Sequence, residues 1–146
     1  MISYPITVTA DDGTYLVTCP DLPEVTTFGE DAEDARARAR DAIEEALAYR
    51  IAHHENIPSP STGHHHVTLG TQTALKVRVY QEMRRRGISK AELARRLHWH
   101  RPQVDRLLDL NHSTRLDAFD AVIDELGCAL EISVRTVDAN RAPDPV

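Results

Sequence analysis

The sequence predicts an α+β protein of two small domains, a β-β-β-α-β unit followed by an all-helical unit that ends in a strand. Three observations predict it. Apolar residues alternate with period two near the start and recur at helical spacing later. A stretch rich in Pro, Ser and Gly, residues 56–66, separates the two patterned regions. The charge also changes sign along the chain. Residues 1–66 hold twelve acidic side chains against four arginines, residues 76–115 hold eleven basic against four acidic, and residues 116–146 hold seven acidic against two arginines. A chain of 146 residues accommodates two domains of this size.

Ile6, Val8 and Ala10 alternate with Thr7 and Thr9, Asp11-Asp12-Gly13 signals a turn, and Tyr15, Val17 and Cys19 resume the alternation. A β-hairpin follows from that pattern. Pro20-Asp21-Leu22-Pro23 is expected to interrupt the sheet, since neither proline donates to a ladder, and Val25–Phe28 suits a third strand. Ala32, Ala35, Ala39, Ile43, Ala46 and Leu47 then fall at helical spacing, with Glu30, Asp31, Glu33 and Asp34 at the start, where the helix dipole favours anions. A stripe made mostly of alanine lets this helix lie close to a small sheet. Val67-Thr68-Leu69 suits a closing strand, which places the first domain at residues 1–70 with a solvent-exposed linker at about 56–66.

The second domain is expected at residues 74–136. Leu75, Val79 and Met83 mark a helix closed by Gly87. Ser89-Lys90-Ala91-Glu92 has the form of a capping box and opens a helix to Arg96. His98-Trp99-His100 is a tight connection, with His98 at the position that usually favours glycine. A third helix runs from about Arg101 to Leu108 with Pro102 in its first turn, and a fourth spans Leu116 to Leu126, stopped by Gly127. Leu130-Glu131-Ile132-Ser133-Val134-Arg135 alternates as a strand. A lone strand after helices needs an edge to pair with, so a homodimer, or a higher even-numbered oligomer, is expected through Leu130, Ile132 and Val134. Residues 137–146 are expected to form a flexible tail.

The stretch from Ile88 to Leu108 carries the functional signal. Ala94 is small where two helices cross, and Leu93, Leu97, Trp99, Val104 and Leu107 supply the contacts that fix the crossing. The later helix then presents His100, Arg101, Gln103, Asp105 and Arg106 outward, a helix-turn-helix arrangement in which Arg and Gln pair with guanine and adenine edges in the major groove. His100, Arg101, Gln103 and Arg106 are the expected base contacts of double-stranded DNA. Lys90, Arg95 and the loop residues His112, Ser113, Thr114 and Arg115 are the expected phosphate contacts. The basic middle segment agrees with this reading, although a solvated basic face gives the same count.

Composition excludes little else. Hydrophobic residues make up 41% of the chain and charged residues 27%, as in ordinary soluble domains. No apolar run reaches the roughly 18 residues of a membrane span, and no basic-then-apolar leader follows Met1. A cytoplasmic location and no membrane partner are the expectation. Cys19 and Cys128 stand far apart, outside any CxxC spacing, and are expected as buried thiols in strands rather than a disulfide or metal pair. The histidines at 53, 54 and 64–66 sit in or near the predicted linker without the converging support a metal site needs. No metal or cofactor is expected.

Tyr15-Leu16-Val17-Thr18-Cys19-Pro20-Asp21-Leu22-Pro23, Gly29-Glu30-Asp31 and the alanine-rich helix resemble the HicB family of antitoxins, partners of HicA messenger-RNA-cleaving toxins. Cys19 stands where an aromatic residue is common in that family, and Glu24 where glycine is common. The second half is similar to the helix-turn-helix branch of the family over Ala74–Val77, Gly87–Leu97, Gln103–Leu110 and His112–Thr114. The likeness covers nearly the whole chain apart from the linker and the last ten residues. It implies a partial ribonuclease-H-like first domain that binds a HicA-type toxin, with Asp21, Leu22, Pro23 and Glu24 as the matching toxin-binding residues. It also implies a second domain that represses its own operon. A nuclease needs carboxylates converging on two metal ions; Asp11 and Asp12 serve as turn formers and Asp21 belongs to a loop signature, so the expectation is a non-enzymatic protein. A stand-alone transcriptional regulator with a ligand-sensing first domain is the alternative that the sequence leaves open.

Overall fold

The computed structural model describes residues 2–136, and the expected tail at 137–146 lies outside the described residues. The chain is α+β, with strands β1 (Ser3–Asp11), β2 (Thr14–Cys19) and β3 (Leu22–Gly29), helix α1 (Ala32–Ala52), strand β4 (His65–Thr68) and helices α2 (Thr71–Arg86), α3 (Lys90–Leu97), α4 (Arg101–Leu108) and α5 (Leu116–Glu125). It divides into two compact units. Among the described residues, one gathers residues 2–46, 58–69 and 132–136, and the other gathers Leu47–Ile57 and Gly70–Glu131. None of the described helices is long and apolar enough to cross a membrane.

The first unit is built on an antiparallel sheet of order β3-β2-β1-β4. Asp12 and Gly13 both take positive φ, which is what a two-residue hairpin loop needs to match the twist of its strands. Tyr4 and Ile6, Val17 and Cys19, and Leu22 and Val25 are buried, as are Ala35, Ala39 and Ile43 of α1. The alanine stripe has the expected consequence at Gly29, where an added Cβ would overlap the backbone of Ala35. Helix α1 is capped by Asp31, whose Oδ1 accepts the Asp34 amide at 2.8 Å.

One expectation for this unit is corrected and another is refined. Pro20-Asp21-Leu22-Pro23 does not interrupt the sheet throughout, because β3 already begins at Leu22 and contains Pro23. The strand lies at the sheet edge, and its register jumps from Thr18 opposite Thr26 to Cys19 opposite Leu22, so Pro23 falls in an irregular stretch that asks for no ladder donor. The segment expected as a solvent-exposed linker is exposed at residues 59–64, yet it is also held to the unit. The Tyr4 hydroxyl donates to the Pro58 carbonyl at 2.7 Å, the Ser61 amide donates to Asp21 Oδ2 at 2.8 Å, Gly63 lies against Pro5, and His65 and His66 belong to β4.

In the second unit three helices end alike. The residue after α2 is Gly87, the residue after α3 is His98, and Gly127 follows Leu126 after α5; all three take positive φ. The next amide in each case reaches back to a carbonyl of the closing turn: Ile88 to Met83, Trp99 to Ala94, and Cys128 to Ile123. The unit buries Ala74, Val77, Val79, Tyr80 and Met83 of α2, Leu93 and Ala94 of α3, Val104, Leu107 and Leu108 of α4, and Phe119 and Val122 of α5. Residues 129–135 form neither helix nor strand within the single chain, and Ile132 and Val134 are exposed.

Gly29→Ala is expected to destabilise the first unit by about 1–3 kcal/mol, the usual cost of overpacking. Denaturant unfolding followed by circular dichroism measures it, and a midpoint equal to that of the unsubstituted chain would show that α1 does not press on this strand.

Candidate nucleic-acid interface

Helices α3 and α4 are joined by three residues, and the turn depends on His98. Its φ of 56° is the left-handed conformation that non-glycine residues adopt at some cost, with His, Asn and Asp less averse than most. Ser89 accepts the Glu92 amide through Oγ at 3.1 Å, the first half of the expected capping box. The reciprocal half is absent among the described contacts; Glu92 instead pairs with Arg96 at 2.7 Å. Ala94 is buried where α3 packs, beside fully buried Leu93, Val104 and Leu107, while Leu97 and Trp99 are half-buried.

That packing leaves one side of α4 in solvent. His100, Arg101, Gln103, Asp105 and Arg106 are all exposed. Gln103 is not wholly free to read a base, because its Oε1 accepts the His100 amide at 2.7 Å and caps the helix. Its Nε2 retains its donors, whereas a two-point pairing with adenine would first require release of the cap. Asp105 stands between two cations, 3.2 Å from Lys90 and 3.5 Å from Arg101. Such surface pairs contribute about 0–1 kcal/mol and give way readily to a phosphate. Arg106 forms no ion pair among the described residues.

The residues chosen from the sequence fall into two groups. Gln103, Arg106, His112, Ser113, Thr114 and Arg115 line one open cleft of about 350 Å³. Lys90 and Arg101 line another, of about 390 Å³, together with Arg84 and Ser89. Arg95 and His100 are exposed but line neither cleft. Among the four loop residues assigned to the first domain's partner, Pro23 and Glu24 are exposed. Asp21 is half-buried and holds both the Ser61 amide and hydroxyl, and Leu22 is completely buried. Leu22 is therefore a core residue and offers no surface, a correction that follows from its place at the start of β3.

Two residues that sequence reasoning did not single out hold the loop after α4. Lys76, one of the eleven basic residues counted in residues 76–115, is completely buried. Its Nζ donates to the carbonyls of Arg106 at 3.0 Å, Asp109 at 2.7 Å and His112 at 2.7 Å. Burial pushes the Lys76 ammonium below the ordinary lysine value, and the nearby Asp109 carboxylate pulls it back up. Gln72 exchanges two hydrogen bonds with Thr114, accepting its amide at 2.7 Å and donating to its carbonyl at 3.1 Å. The available signal was positional: Lys76 occupies the stripe that continues through Val79, Tyr80 and Met83. Elsewhere, Cys19 and Cys128 are both free thiols. Cys19 is buried at the end of β2, and burial raises its thiol, whereas Cys128 is half-buried and lies outside any strand, contrary to expectation. Among the described residues no three His, Cys, Asp or Glu side chains are grouped to hold a metal ion.

Comparison with known proteins places these features in context. A family model described as HicB_like antitoxin of bacterial toxin-antitoxin system matches residues 3–78. The chain is 34% identical over 138 residues to Antitoxin HicB of Pseudomonas fluorescens, covering 92% of this chain and 94% of that relative. It is 35% identical over 130 residues to Antitoxin HicB 2 of Photorhabdus laumondii, covering 88% and 94%. It is also 33% identical over 133 residues to Antitoxin HicB of Escherichia coli, covering 88% and 96%.

Proposed function

The chain belongs to the HicB-like antitoxin family, and from that premise we propose that it neutralises a HicA-type messenger-RNA-cleaving toxin through its first unit and represses its own operon through its second. In this reading the β-β-β-α-β unit is a partial ribonuclease-H-like domain and α3 with α4 form a DNA-binding helix-turn-helix. The protein works by binding, without catalysis of its own.

One observation carries the duplex-binding half: on the side of α4 left exposed by packing, Gln103 and Arg106 share a cleft with His112, Ser113 and Arg115, while Arg101 is exposed one turn earlier on the same helix. Base-reading groups and phosphate-gripping groups on one surface are what a major-groove helix requires, the phosphate contacts setting orientation and the base contacts setting sequence. Lys90 and Arg95 extend the phosphate-facing set. For the toxin, the support is electrostatic. Residues 1–66 carry a net charge of −8, and a protein that grips RNA presents a basic surface, so opposite potentials speed and orient docking. Pro23 and Glu24, with the outer part of Asp21, are the proposed contacts of that loop.

The second copy of the chain is the proposed partner of residues 129–135. Leu130, Ile132 and Val134 alternate and are 49%, 79% and 94% exposed, a spacing suited to adding a strand across a two-fold axis. The full operator-binding form is then a homodimer or a higher even-numbered oligomer.

Coexpression with the product of a neighbouring gene of HicA size is expected to yield a stable complex, and the chain alone a light-scattering mass of at least two chains. A toxin that fails to copurify contradicts the neutralising role, and a one-chain mass at micromolar concentration contradicts the dimer. In operator binding, Arg101→Ala is expected to cost about 1–3 kcal/mol and to relax specificity at one base pair. Lys90→Ala should instead weaken binding to all sequences and make the salt slope shallower by about 1. Wild-type binding by both variants in a gel-shift titration contradicts these roles.

A further inference from the structure

Resting on the duplex-binding reading above, we propose that Lys76 and Gln72 are positioning residues that preset the chain between the end of α4 and the start of α5 for contact with a nucleic-acid backbone, without touching nucleic acid themselves. Both stand on α2, four residues apart and hence on one face. Lys76 is completely buried and unable to reach a ligand. An ammonium has three protons to donate and accepts nothing, so it is tolerated in an interior only where every proton finds an acceptor. Here the acceptors are three backbone carbonyls, of Arg106 in the last turn of α4, of Asp109 beyond it, and of His112 in the following loop. The carbonyl end of a helix carries the negative pole of its dipole, which suits a cation at that place. Gln72 continues the same task at Thr114 with its two hydrogen bonds.

The clamp acts on main chain alone and leaves several side chains of the segment turned to solvent, although the Thr114 hydroxyl is buried. Arg106, His112, Ser113 and Arg115 are exposed. A loose loop would lose conformational freedom each time it gripped phosphates, and a loop already fixed at four backbone positions does not. Lys76 therefore contributes to duplex affinity from the interior.

The test is titration of the full chain, Gln72→Ala and Lys76→Met with short random-sequence duplex DNA at several salt concentrations. Circular dichroism establishes the folded fraction of each variant. Folded Gln72→Ala is expected to bind about tenfold more weakly at low salt, with a log–log salt slope shallower by about 1–2 because fewer phosphates are engaged together. Lys76→Met, where it folds, is expected to shift the slope in the same direction. A merely structural role would lower the folded fraction and leave the slope of the folded protein unchanged. A folded Gln72→Ala with unaltered affinity and slope therefore overturns the positioning role while the duplex-binding reading stands, and it does so even if Lys76→Met fails to fold. Absence of duplex binding by the unsubstituted chain overturns the reading itself and this inference with it.

Discussion

A single buried ammonium organises the second unit. Lys76 has no exposure, yet it satisfies all three of its protons on carbonyls spread over residues 106–112. Stripping water from a charge is costly, and the arrangement persists because the replacement ligands are complete and lie at the negative end of a helix. The dependence runs the other way as well. Loss of the ammonium would take a charged donor from three carbonyls at once, which is why the proposed positioning of the loop after α4 rests on this lysine. The end of α4 and the loop after it are thus tied to α2 by a residue that the outside of the molecule never shows.

Much of the fold was legible because local chemistry and tertiary context agree. The Asp12-Gly13 turn, the alanine stripe of α1, the Ser89 cap and the stops at Gly87 and Gly127 are each dictated within a few residues. His98 was legible for the same reason: the spacing of Leu93, Leu97 and Val104 demands a tight reversal there, whatever residue occupies it, and φ is 56°. The failures are all long-range. Pro23 sits inside a strand because that strand is an edge, which only the sheet order reveals. Residues 56–66 have the composition of a linker, yet Tyr4 and Asp21, distant in sequence, hold them.

The candidate interface divides along the same line. Outward projection of His100, Arg101, Gln103 and Arg106 follows from helical periodicity once Val104 and Leu107 are assigned to the core. Their side-chain partners do not follow. Gln103 caps its own helix through His100, and Lys90 and Arg101 share Asp105. Lys76 shows how a charge count misleads, since an unpaired-looking cation in a basic segment reads as surface until the carbonyls around it are known. Leu22 shows the converse in the first unit, where a family-like loop motif contains a residue that only serves the core.

Two segments of the chain carry opposite charge balances, acidic in residues 1–66 and basic in residues 76–115, which suits one chain to two partners of opposite sign. The central claim is that the exposed side of α4 enters a duplex groove. Amide chemical-shift mapping during titration with a duplex carrying the promoter of its own operon tests it most directly. Shifts concentrated at residues 99–106 and 111–115, with β1–β3 unchanged, are the predicted result. Shifts confined to the sheet, or none at low salt, would contradict it.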